Sequence, residues 1–184
     1  MKIIYLASFK AHHPGWNMVY QDINGLRDIG GDMMEVDLDP YDVIIATPPC
    51  NYYSKLNRNR ETSKYSTMTK HLLPEIIKKL EKIGKPFIVE NVRSHIINDL
   101  ITSQKDFTGW IYQHGRHTYW TNIPFSPEGI NQKIDFKAVR SRVGVDKTSP
   151  DYNNVGLNVV AKNRQGGNNV HDVIEWWLKV VSGL

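Results

Sequence analysis

The stretch Tyr41-Asp42-Val43-Ile44-Ile45-Ala46-Thr47-Pro48-Pro49-Cys50 decides the fold class of this 184-residue chain. Its first six positions form a nearly unbroken apolar run, and Thr47-Pro48-Pro49 stops it abruptly. A strand with one face in water alternates polar and apolar residues; a strand covered on both faces does not. Residues 41–46 therefore read as an interior strand of a parallel sheet that ends in a loop. The two prolines prevent helix or ladder from continuing, and they stiffen the backbone that carries Cys50.

The flanking segments agree. Over 69–83 the residues Leu72, Leu73, Ile76, Ile77, Leu80 and Ile83 fall on one helical stripe, with Pro74 tolerated in the first turn and Gly84 as a stop. Residues 86–90 form a second buried strand. Strand, helix, strand in that order predicts an α/β sheet with right-handed crossovers, whose functional residues gather at the carboxyl ends of the strands. Segments 2–7 and 16–22 read as further short strands, the first of them at the amino-terminal end where no leader pattern is visible. Residues 110–113 and 118–121 suggest an antiparallel pair around Gly115. Segment 126–168 is polar and weakly periodic. The stretch 172–181 is a helix whose Trp176 and Trp177 read as core packing.

Composition bounds the class. Hydrophobic residues make up 40% and charged residues 23%, as in an ordinary globular domain able to bury its own core. No apolar run approaches the roughly 20 residues that span a bilayer. One cysteine excludes an internal disulfide framework and a multi-cysteine zinc site, and a cytoplasmic location is the expectation. The formal charge is +4. Lys55, Arg58, Arg60, Lys64 and Lys70 cluster just after Cys50, with Glu61 the one acid among them; a second basic stretch runs from Lys133 to Lys147.

Two residues could carry chemistry. Cys50 sits on a stiff loop, and the basic residues beyond it would favour its nucleophilic thiolate. Glu90 ends a buried strand, where poor hydration suits a proton donor; the plainer reading pairs it with Arg93. Adjacent His12 and His13 read as a surface turn rather than a metal site.

Pro-Pro-Cys closing one strand and Glu90-Asn91-Val92 closing the next resemble the cytosine-C5 DNA methyltransferases. Arg116-His117-Thr118-Tyr119-Trp120-Thr121-Asn122 is similar to the arginine strand and Trp-x-Asn of some members, short phage-type sequences above all. Gly167-Asn168-Asn169-Val170 resembles the late Gly-Asn-x-Val segment. The resemblance implies a reduced Rossmann-like methyltransferase fold, a mostly parallel sheet with flanking helices, in one catalytic domain over 1–184. It implies methyl transfer from S-adenosylmethionine to cytosine C5 in DNA, with Cys50 attacking C6, Glu90 bonding N3 and the exocyclic amine, and Arg116 contacting the base carbonyl or positioning the catalytic loop. Ala7, Ser8, Phe9, Asp22, Asp32, Pro48, Asn168 and Asn169 then fall at cofactor-binding positions. Ser54, Lys55, Arg58, Arg60 and Lys64 fall beside the DNA backbone, where phosphate contact explains their charge. The target base must leave the helix to reach such a pocket.

The chain departs from the family pattern in three places. The loop after the first strand lacks the Phe-x-Gly-x-Gly glycines, and it is too short for the usual crossover helix. The paired arginines are reduced to Arg116, with His114 and His117 as the nearest substitutes. Residues 126–165 leave room for a loop or hairpin in place of a target recognition domain, so sequence specificity should be low or supplied by a second chain. Two alternatives follow: a degenerate fold that binds nucleic acid or a partner subunit without catalysis, and an enzyme acting on RNA or a nucleotide.

Overall fold

The structure is a computed structural model describing residues 1–8, 11–125 and 169–184, apart from the Asn169 side chain, together with the backbone of 136–140. In chain order the described elements are β1 (Ile3–Leu6), β2 (Met18–Tyr20), β3 (Val43–Ala46), α1 (Lys64–Thr69), α2 (Leu72–Ile83), β4 (Phe87–Val92), α3 (His95–Ser103), β5 (Trp110–His114), β6 (His117–Thr121), β7 (Phe136–Arg140) and α4 (Asn169–Ser182). They build one sheet in the order β2-β1-β3-β4-β6-β5-β7. The β2, β1, β3 and β4 strands run parallel. The pairs β4/β6, β5/β6 and β5/β7 are antiparallel, so the sheet is mixed rather than mostly parallel.

Alternation along each strand sorts the core into two layers. Ile4, Leu6, Ile44, Ala46, Phe87 and Val89 pack with Leu73, Ile76, Ile77 and Leu80 of α2. Ile3, Tyr5, Val43, Ile45, Ile88 and Tyr119 pack on the opposite face with Val173, Ile174, Trp177 and Leu178 of α4. Trp177 is fully buried and donates its indole N–H to Thr121 Oγ1 at 3.0 Å, while Trp176 packs at the margin of this layer. Both faces of β3 are thus covered, which is why its sequence does not alternate.

The helix expected over 69–83 is α2, which starts three residues later, at Leu72, and is preceded by the short α1. Pro74 has no N–H to offer the Lys70 carbonyl four residues before it; the Tyr53 hydroxyl takes that carbonyl instead, and the chain divides into α1 and α2. Gly84 ends α2 in the left-handed region at φ 75°, its N–H returning to Leu80 O. Helix α3 went unread in the sequence because it buries only Ile97 and Ile101 and depends on Ser94, whose side chain accepts from the Ile97 N–H. Strand β7 lies within 126–165; the rest of that segment is outside the described residues.

Residues 7–17 connect β1 to β2 in parallel, with no helix among the described residues of the connection. Side chains hold this short crossover together. Gln21, 1% exposed, accepts from the Ala7 N–H at 2.8 Å and donates to Gly31 O, and its carbonyl accepts from Ser8 N–H and Ser8 Oγ. Arg27 donates to Ala11 O while covering the Tyr20 ring. His13 corrects the surface-turn reading: it is 3% exposed and bonded to Glu175 of α4, whereas His12 remains exposed.

Candidate active site

Cys50 and Glu90 leave the carboxyl ends of neighbouring parallel strands, β3 and β4. Asn91 explains how the two segments are locked together. Its side chain points to the opposite face from that of Glu90, is 1% exposed, and donates from Nδ2 to the Pro48 carbonyl at 2.9 Å. Thr47 fixes the same loop to β1 through its hydroxyl, which donates to Ala7 O at 2.9 Å. Beyond Cys50 the chain turns at once, with the N–H groups of Tyr53 and Ser54 both bonded to the Cys50 carbonyl.

The Cys50 thiol is pushed up, first by loss of hydration among its neighbours and then by the negative charge of Glu90. The residue nevertheless remains exposed. The basic residues after it do not offset these two effects, so the expected thiolate stabilisation is not found in the free protein. Glu90 thus acts on the sulfur as a negative charge that disfavours the thiolate.

Glu90 is bonded by His117, whose Nδ1 lies 2.6 Å from Oε1. The register explains the contact. Glu90 faces Tyr119 and Val92 faces His117 across the β4/β6 pair, so His117 approaches Glu90 diagonally along one face. Tyr119 is fully buried beside Glu90, with no hydrogen-bond partner for its hydroxyl among the described residues. Burial, then the charge of Glu90, raises its pKa well above the ordinary phenol value, so the ring stays neutral. Arg116 lies exposed in the β5–β6 turn, and its carbonyl accepts from the Arg93 N–H. The sequence named His117 only as a substitute, because its contact to Glu90 depends on the β4/β6 register.

The segment after Cys50 divides its basic residues between two tasks. Arg60 folds inward, donating to the Ser54 and Asn57 carbonyls at 3.2 Å. Asn57 ties the loop to α1 through Ser66 Oγ at 2.8 Å. Lys55, Arg58 and Lys64 are exposed, as are Leu56, Tyr65 and Met68. Ser54 is half-buried and caps the Leu56 N–H.

At the other end of the parallel half, Asp22 follows β2. It is 7% exposed, with Oδ1 taken by the N–H and amide of Asn24, while no described residue donates to Oδ2. Asp32 is exposed and accepts from the Met34 N–H. Phe9 and Asn168 lie outside the described residues, as does the side chain of Asn169.

The sequence profile of the C-5 cytosine-specific DNA methylases matches residues 4–164. The chain belongs to this family. No curated protein matches it. Cytosine-C5 methylases use S-adenosylmethionine, and the cofactor end of this methylase can be tested against that ligand. A buried carboxylate with one uncommitted oxygen past β2 suits a ribose diol, so Asp22 fits. The backbone N–H groups of Ala7 and Ser8 are both consumed by Gln21. Ala7 itself sits at φ 52°, the left-handed conformation in which a glycine would be unstrained. The adenosine half of the cofactor site thus fits better than the methionine half.

Proposed function

We propose that this methylase transfers a methyl group from S-adenosylmethionine to cytosine C5 in DNA, using Cys50 as a covalent nucleophile. One observation carries the reading: Asn91 ties the Cys50 loop to β4, and the charge of the preceding residue, Glu90, acts on the thiol. Cytosine C5 alone is too weak a nucleophile to take a methyl group. The Cys50 thiolate adds at C6, the ring becomes an enamine, and C5 gains the electron pair it needs. Glu90 bonds N3 and the exocyclic amine and so favours addition. After transfer, loss of the C5 proton expels the thiolate and restores the aromatic ring.

His117 holds Glu90 in the orientation this requires, standing in for one arginine of the usual pair. Arg116, one residue away in the turn, would contact the base carbonyl or position the catalytic loop. Lys55, Arg58 and Lys64 would meet phosphates, and the exposed Leu56 between them could fill the space a flipped base leaves. Asp22 would hold the ribose, with Asp32 and Pro48 toward the adenine. Arg60 positions the loop rather than meeting DNA directly.

Incubation of DNA with methyl-labelled cofactor tests the reading. Label on cytosine C5 that disappears with Cys50→Ala is expected; none from folded wild-type protein would contradict it. The consumed Ala7 and Ser8 donors favour a second reading, a fold that binds nucleic acid or a partner subunit without catalysis. Calorimetric titration with the cofactor separates the two, since saturable binding in the micromolar range belongs only to the first.

A further inference from the structure

Away from Cys50 and Glu90, one group of side chains among the described residues converges as metal ligands do. His13 lies in the β1–β2 connection; His171 and Glu175 lie one turn apart on α4, hence on one face of it. One ligand atom from each comes within 4.8 Å of the others. The His13 ring stacks on His171 with centroids 4.3 Å apart, and its Nδ1 is 2.6 Å from Glu175 Oε1. The second carboxylate oxygen of Glu175 is held by the Trp16 indole N–H at 2.9 Å. The His13 backbone is anchored in turn, donating to the Tyr20 hydroxyl at 2.7 Å.

We propose that His13, His171 and Glu175 bind a divalent transition metal, zinc fitting best, which clasps the β1–β2 connection to α4. Two imidazoles and one carboxylate are a common zinc set, whereas magnesium and calcium select oxygen ligands. Trp16 supplies the outer hydrogen bond that orients a ligating carboxylate. The neutral imidazole is the form that ligates a metal. Ligand atoms around tetrahedral zinc sit about 3.3 Å apart, given bonds near 2.0–2.1 Å. A bound ion would draw the half-exposed His171 and Glu175 side chains inward by that difference.

A clasp here has a structural reason. The crossover that would ordinarily carry a helix spans only residues 7–17, and it meets α4 through His13 and Trp16, both on the one carboxylate of Glu175. A bound ion would replace the proton now shared between His13 and Glu175 and draw in His171, which the hydrogen bond alone leaves unused.

Titration of the untagged full chain with zinc, and separately with cobalt(II) read by visible absorption, tests the proposal. One equivalent of zinc should bind, cobalt should show the intense bands of four-coordination, and magnesium should do neither. His171→Ala should weaken zinc binding at least about tenfold with the circular dichroism of the metal-free protein unchanged, since His171 is half-exposed. His12→Ala should leave binding as it was. Absence of saturable zinc binding, equal binding by the His171 variant, or loss with His12→Ala alone would overturn the assignment.

Discussion

The negative charge of Glu90 acts on the Cys50 thiol, and this has a measurable consequence. Because lost hydration and then the Glu90 charge push the thiol up, alkylation of Cys50 in the free protein should rise with pH through a midpoint above about 8.5, the ordinary cysteine value. Glu90→Gln removes the negative charge, so the midpoint should fall, and reactivity near neutrality should increase while methylation is lost. An unchanged midpoint would mean the two groups do not share a site. His117→Ala removes the bond to Glu90, a charge-assisted contact of about 1.5–3 kcal/mol, and should lower kcat at least roughly tenfold with the fold intact by circular dichroism. Asn91→Ala leaves the Pro48 carbonyl without its donor and should cost about 1–3 kcal/mol in denaturant unfolding. Of these residues the sequence displayed Cys50, Glu90 and Arg116, since each belongs to a recognisable string. The His117 contact was not legible because it depends on strand register, and the raised thiol because it depends on packing rather than on nearby basic residues.

At the scale of the element, periodicity was a good guide where burial is extensive. The α2 stripe was readable because four of its apolar side chains enter the core. A change there should behave as a core deletion: Leu80→Ala should cost about 2–5 kcal/mol. Gly84→Ala places a side chain in the left-handed region and should cost about 1 kcal/mol, measured by the same unfolding midpoint. Short elements escaped for the opposite reason. Helices α1 and α3 bury few side chains and depend on the caps Ser63 and Ser94, which single-residue signals do not distinguish from turns. The break between α1 and α2 needed knowledge that Tyr53 would be present to take the Lys70 carbonyl.

For the whole molecule, the reduced crossover and the sheet order come together. On that face α4 is the described helix, and the β1–β2 connection meets it both through the apolar layer that Ala11 and Trp16 join and through the polar contacts of His13 and Trp16 to Glu175. The parallel half of the sheet was legible from β3 outward; the antiparallel half was only partly so, because β7 lies in a polar segment with little alternation. Among the described residues no helix is long and apolar enough to cross a membrane. The exposed Lys55, Arg58 and Lys64 should make DNA affinity fall with salt, and replacing one phosphate-contacting residue should reduce the log–log slope by about one. Such a loss would be similar across target sequences, as expected when phosphates rather than base edges are met.

The covalent step is tested most directly by DNA carrying 5-fluorocytosine in place of cytosine, incubated with protein and cofactor. Fluorine at C5 blocks the final elimination, so the account predicts a stable protein–DNA adduct through Cys50 that Cys50→Ser cannot form. A folded, cofactor-binding protein that leaves this DNA unattached, or an adduct mapped to any other residue, would contradict it.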